Sequence, residues 1–243
     1  MMTNLFDLSK FDEYNRRARI YPALLVLLPI IMGIIVWFPE GFVGLGVLIS
    51  VLAWAGTGYF LANFARDRGK QKEPYLFKLW GGKPSTRILR HRSTSNSKML
   101  EYTHKRLSEL FSDLTLPSQR EEENDPKHAD ELYDVCTRRM IEHTRDQKKF
   151  NLLFKENCSY GFRRNLWGLK KIGVFFAILG FLSTGIALGY TYLMLGIFSP
   201  LALITTVINI ILLILWVFTI TPDWVKIPAE AYAERLFASV ETL

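Results

Sequence analysis

The sequence predicts an all-α membrane protein: four transmembrane helices arranged as two hairpins, with a mainly helical cytosolic insert between them. Three observations predict it. Apolar residues gather in two blocks, 21–65 and 172–220, rather than spreading evenly through the 243 residues. Each block is about twice the ~20 residues that cross a bilayer core, and a turn signal splits each near its middle. Cations avoid the two short loops and crowd between the blocks, where 24 of the 30 Lys and Arg fall within 66–171.

Residues 1–20 form a cytosolic N-terminal segment. Lys10, Arg16, Arg17 and Arg19 precede the first apolar block and retain this end inside. The block begins too far along the chain for a secretory signal, and no small-residue cleavage site follows it. Hairpin one, 21–65, turns at the Pro-Glu-Gly of 39–41, and Glu40 is its only charge. Hairpin two, 172–220, turns around 193–200 and carries no charge at all. Buried hairpins in a soluble core are the alternative, but uncharged runs of this length are rare there. Neither turn holds Lys or Arg, so the N-terminus, the insert and the tail 221–243 are expected in the cytosol. Trp37, Trp54, Tyr190, Tyr192, Trp216 and Trp224 lie near span ends, as interfacial anchors do. Cys136 and Cys158 then sit in reducing cytosol, where a structural disulfide is not expected.

The insert 66–171 carries 24 basic and 15 acidic residues, net +9. The excess peaks over 66–92, with nine basic residues against Asp67 and Glu73. Gly and Pro there predict a loop with extended pieces at 75–80 and 86–89 around a turn at 81–84. A helix follows, capped by Asn96 or Ser97. Its Leu100, Thr103, Leu107, Leu110 and Leu114 form a narrow apolar seam suited to a partner helix. Pro117 ends it, and the acidic 121–125 reads as a solvated linker. Asp125 and Pro126 suit the start of a longer helix reaching about Asn157. Its apolar side is Leu132, Val135, Cys136, Met140, Phe150, Leu153 and Phe154. A domain this small has a thin core, which favours oligomerisation. Residues 159–171 read as an interfacial elbow leading into the third span.

Two cationic groups are candidates for an anionic ligand. Lys83, Ser85, Thr86, Arg87, Arg90 and Arg92, with His91 among them, place point charges, hydroxyls and planar guanidinium forks within ten residues,. Arg163 and Arg164 form the second group. Lipid head groups compete for both roles, since juxtamembrane cations commonly meet anionic lipid. The Gly-Gly-Lys-Pro-Ser-Thr of 81–86 is not a Walker A loop: Phe77 stands where the first Gly is needed, and Pro84 separates Lys from Ser. His128, Cys136 and His143 are two helical turns apart, too far to share one metal ion, so no metal or cofactor is expected. No nucleophile–base arrangement emerges, and the chain is not expected to be an enzyme.

Within the spans the polar residues are mild: Ser50, Thr57, Asn63, Ser183, Thr184, Thr191, Thr205, Thr206 and Asn209. No acid, Lys or His lies mid-membrane, which removes the usual proton relay of a transporter. Thr205 and Asn209, four apart, share a helix face; interhelical hydrogen bonding and pore lining both suit them. Gly185 and Gly189 form a GxxxG pair that predicts close helix packing.

The stretches LWGGKPSTRILRHR, DPKHADELY, TRDQKKFNLLFKENCSYGFRRNLWGLK and AYAERLFASVETL resemble a family of bacterial four-span membrane proteins. The architecture is similar to that of membrane effectors of anti-phage systems, in particular the channel effector of the Hailong system. The resemblance covers nearly the whole chain. It implies a tetrameric ion channel of the inner membrane, held shut by an oligodeoxyadenylate that a partner enzyme makes. The candidate ligand residues come from the basic segments themselves and not from the family. A non-channel anchor or sensor for a soluble defence partner is the second expectation, and a lipid-acting enzyme would need an interfacial carboxylate or histidine that the chain does not present.

Overall fold

The computed structural model describes residues 12–39, 57–93 and 96–243, and among them all regular structure is helical. The chain divides into two compact units, Met1–Lys72 with Gly161–Val225, and Glu73–Tyr160 with Lys226–Leu243.

Helix α1, Glu13–Trp37, opens the first unit. Asp12 caps it, accepting a 2.7 Å hydrogen bond from the Asn15 N–H,. Residues Arg16–Ile20 form a π-helical turn, and Pro29 lies inside the helix. Helix α2 is Thr57–Lys70. Among the described residues three helices are long and apolar enough to cross a membrane: α1, Asn151–Leu195 and Pro200–Thr219. Large apolar side chains remain exposed along the last two, among them Phe175, Leu182, Ile186, Ile204, Ile211 and Phe218. Such a surface is far beyond what a water-soluble monomer leaves bare.

The expected span over 42–65 falls mostly outside the described residues, as do Lys10, Ser50 and Trp54. Its described end belongs to α2, which continues past Ala65 through Arg66, Arg68 and Lys70. The helix Asn151–Leu195 also corrects an expectation. It is continuous for 45 residues, about 68 Å at 1.5 Å per residue, so the elbow expected at 159–171 does not exist,. Two glycines of that stretch lie where another chain segment presses on the helix. A Cβ at Gly161 would fall 2.8 Å from Ala18 Cβ, and one at Gly168 2.6 Å from the Arg68 backbone. Trp216 is likewise no interfacial anchor; it is 1% exposed and packs on Gly173. The Gly185–Gly189 pair meets none of the described residues within 4 Å, so it makes no close packing against them.

The second unit begins with α3, Glu73–Leu79, and α4, Pro84–Arg87. These replace the extended pieces expected there. Between them Gly81 and Gly82 adopt φ of 76° and 132°, a turn that only glycine makes readily,. Helix α5, Ser97–Leu110, is capped by Asn96, whose side chain accepts from the Met99 N–H at 3.1 Å. The acidic stretch is not a linker: α6, Gln119–Asn124, opens on a capping box made by Ser118 and Glu121,. Helix α7, Pro126–His143, stops well short of Asn157. Thr144 turns its hydroxyl back to the Met140 carbonyl at 2.8 Å, and Asp146 gathers the N–H groups of Lys148 and Lys149,. Those two N–H groups hold the Asp146 carboxyl below its ordinary range.

The chain then enters α8, Asn151–Leu195, and α9, Pro200–Thr219, and ends in α10, Pro222–Ala238. The apolar seam of α5 is filled from within the chain. Leu107 packs in one core with Phe111, Tyr133, Met140, Leu236 and Phe237. The C-terminal segment is therefore part of this core and not a free tail. Cys136 lies in the same core, and burial pushes its thiol up to about 12, so it stays an inert apolar filler,.

Candidate functional site

The Gly81–Gly82 turn exists for Arg90. A Cβ on Gly82 would lie 2.7 Å from Arg90 Nη2. Arg90 fills that space, donating from Nη1 to the Gly81 carbonyl at 2.6 Å. Its other edge grips Asp130 with two bonds, Nε at 2.7 Å and Nη2 at 2.6 Å. Arg92 bridges Asp130 and Glu122, each at 3.0 Å. Lys83 pairs with Asp134, which Arg138 also engages. Most of the cationic cluster read from the sequence is thus tied to carboxylates of α6 and α7.

The acids respond to this company. Burial pushes Asp134 upward, but Lys83 first and then Arg138 outweigh it and leave the carboxyl below its ordinary range. Glu122 behaves alike: burial raises it, while the His91 N–H, the Tyr133 hydroxyl, the Arg92 N–H and the Arg92 charge together bring it below. Burial lowers His104, and its Nε2 contact with the Leu89 carbonyl at 2.9 Å only partly offsets that.

Lys83, Thr86 and Arg90 line one open groove of about 670 Å³ with Lys127, Asp130 and Asp134. Arg87 faces a smaller cavity of about 330 Å³ beside Glu230, to which it is bonded at 3.2 Å. Ser85 sits half-buried on α4 and lines neither. The groove is mixed in charge, so a polyanion entering it must compete with the resident carboxylates for the same guanidinium and ammonium groups.

Arg163 and Arg164 belong to the first unit. Arg163 donates to the Trp224 carbonyl at 2.9 Å and lies over the Trp224 ring, 4.7 Å from its centre. Arg164 is buried and donates from Nε and Nη2 to Asn165 Oδ1 at 3.2 and 3.1 Å. Lys170 donates to the Val217 and Ile220 carbonyls at 2.9 Å each, satisfying the C-terminal end of α9,.

Thr205 and Asn209 face the interior of the first unit. Thr205 returns its hydroxyl to the Leu201 carbonyl at 2.8 Å. Asn209, wholly buried, donates to Thr184 Oγ1 at 3.4 Å, and its Oδ1 has no hydrogen-bond partner. The interhelical reading is the one this arrangement displays.

Sequence reasoning missed Glu122, Asp130 and Asp134 as partners of the cluster. One signal was present: Ser118 followed three residues later by Glu121 is a helix start, which makes the acidic stretch structured. No family model matches the chain, and neither a curated protein nor a solved structure matches it. What fold and site define is a class: an all-helical protein with helices able to cross a membrane and a second helical unit bound together by salt bridges.

Proposed function

We propose that the protein is an oligomeric channel of the bacterial inner membrane, gated by an anionic oligonucleotide on its basic cytosolic insert, 66–171, and serves as a depolarising effector in anti-phage defence. The observation that carries the reading is a pairing of features in one chain. Apolar helices expose a wide surface on which Gly185 and Gly189 meet none of the described residues, while the 66–171 insert carries net +9. The first feature leaves room for a neighbouring subunit; the second attracts a polyanion through charge neutralisation and counterion release.

Gating then follows from differential affinity. A ligand that binds the closed state better holds the pore shut, and its loss lets it open. Phosphates would exchange with Asp130 and Asp134 for Lys83 and Arg90, so binding would rearrange ion pairs rather than create charge contacts from nothing. Asn209 would contribute if opening parts the helices around it: its buried Oδ1, without a hydrogen-bond partner, would then gain water,.

Single-channel current from purified protein in planar bilayers, with and without short single-stranded oligonucleotides, tests this. Current that an oligonucleotide blocks supports channel and regulator together. The second reading, a non-channel anchor for a soluble partner, is favoured by one observation. An apolar cavity of about 500 Å³ in the second unit is bordered by the exposed Met99 and Tyr102. Absence of current under every condition moves the weight to that reading.

A further inference from the structure

The apolar cavity of about 500 Å³ in the second unit has two walls and a floor. One wall is the first half of α5, with Met99 and Tyr102 at the rim. The other is the end of α10 and the 3-10 turn Ser239–Thr242 that follows it. Leu89, Phe237 and Val240 line the cavity and belong to the core that holds Leu107 and Tyr133, so the opening reaches the apolar centre of the unit. Both walls are fixed by contacts within the unit. Asn96 caps α5, and the Tyr102 hydroxyl donates to Glu241 Oε2 at 3.0 Å, tying α5 to the turn. A cavity held open this way takes a ligand without first being ordered.

Its charge is one-sided. Glu234 and Glu241 line it, and no Lys or Arg does. Glu241 accepts from the neutral Tyr102 hydroxyl, and no ion pair with a described residue engages Glu234. Arg106 lies in electrostatic range of Glu241, but it bonds Glu109 at 2.7 Å and does not line the cavity. The smaller cavity beside Arg87 shares Ile88 and Glu234 with this one. There Arg87 and Lys226 both turn to Glu230, at 3.2 and 3.6 Å, and leave Glu234 uncompensated. The undescribed residues of this unit, Thr94 and Ser95, carry no charge, so the balance within it does not turn on them.

Size and surroundings narrow the occupant. Sites for small organic ligands run from about 300 to 1,000 Å³, mostly apolar with a few polar groups. A stable protein interface needs about 800 Å² on each partner, with an apolar centre. The other exposed residues on this part of α5 are Ser97, Lys98, Glu101 and Lys105, which offer no such centre. We infer that the cavity binds a small organic cation with an apolar body, an arylalkylamine in chemical class. Its body lies against Leu89, Phe237 and Val240, and its ammonium group meets Glu234 or Glu241. The site is independent of the channel reading, and no current enters its test.

The test uses the full-length protein in detergent and three probes with one apolar body: phenylbutylamine, phenylbutanol and phenylbutyrate. Binding is read by saturation-transfer NMR, with protein-free micelles subtracted for partitioning. The amine should bind saturably and about fivefold tighter than the alcohol, the worth of one exposed ion pair, with the butyrate weakest. Glu234→Gln should lower the amine toward the alcohol's affinity and leave the alcohol unchanged. Ala238→Trp, filling the cavity from its α10 wall, should abolish saturable binding of all three. Equal affinity for amine and alcohol overturns the inference, as does binding that survives Ala238→Trp or is absent for every probe. Binding confined to species that light scattering shows to be monomeric gives the cavity to a second copy and overturns it too. Glu234→Gln breaks no ion pair with a described residue, so it remains readable if Ala238→Trp misfolds.

Discussion

The Tyr133 hydroxyl donates a 2.8 Å hydrogen bond to Glu122 Oε2, and the carboxylate receiving it is 1% exposed. The same carboxylate accepts from the His91 N–H at 2.8 Å, the Arg92 N–H at 3.2 Å and Arg92 Nη1 at 3.0 Å. One acid thus joins α6, α7 and the segment after α4. Glu122→Ala strands all of these donors at once and should cost about 3 kcal/mol. Tyr133→Phe removes one donor and leaves the acid satisfied, so about 1 kcal/mol is expected. Thermal unfolding of the purified variants checks the order; equal losses would refute the hub.

Acidification should loosen the second unit in two stages. His104 is held below its ordinary 6.5, so the unfolded chain takes up its proton first. Its contribution is complete above pH 6.5 and falls as pH drops from there toward the folded value. Glu122 is held below its ordinary 4.5, and its contribution falls as pH drops through the folded value,. His104→Asn should therefore flatten the upper stage of a stability–pH curve and spare the lower one. A curve whose upper slope survives that substitution would contradict the assignment.

Arg90 and Arg87 should separate structure from binding. Arg90, with three hydrogen bonds and 10% side-chain exposure, is a structural cation, and Arg90→Gln should destabilise by about 2–4 kcal/mol,. Arg87 is more accessible and holds Glu230 at 3.2 Å. Arg87→Gln should leave the unfolding temperature within about 1 kcal/mol of the parent while weakening oligonucleotide binding. Neutralising both should flatten the salt dependence of binding, read by titrations at several ionic strengths. Unchanged affinity in the double variant would remove these residues from the ligand site.

Glycine substitutions on α8 should have opposite signatures along its length. Gly168→Leu forces a side chain onto the Arg68 backbone, 2.6 Å from the ideal Cβ, and should prevent folding of the first unit or cost several kcal/mol, at the high end of overpacking,. Gly185→Leu meets none of the described residues within 4 Å of its ideal Cβ and should leave their packing intact. If subunits pack there, it should shift the assembled species toward monomer in size-exclusion light scattering. An unaltered oligomer would place the interface elsewhere.

The apolar helices were legible because the bilayer demands long uncharged runs, and Tyr21–Trp37 and Pro200–Thr219 supply them directly. Helix starts were legible where local chemistry decides them, at Asn96 and at Asp125–Pro126. Elements that depend on distant neighbours were misread. The stretch 159–171 reads as an elbow, yet α8 runs straight through it, with α1 and α2 packed where side chains at Gly161 and Gly168 would lie. The pieces around Gly81 and Gly82 read as extended, yet they are short helices, and the space beside Gly82 is filled by Arg90.

The sequence by itself determined an all-helical chain, the apolar runs fit to cross a membrane and the excess of cations between them, since these follow from composition and local periodicity. Only the tertiary structure decided which charges are available. It bound Lys83, Arg90 and Arg92 to Asp134, Asp130 and Glu122. Partnership between charges depends on approach through space, over distances at which burial and pairing outweigh any count along the chain.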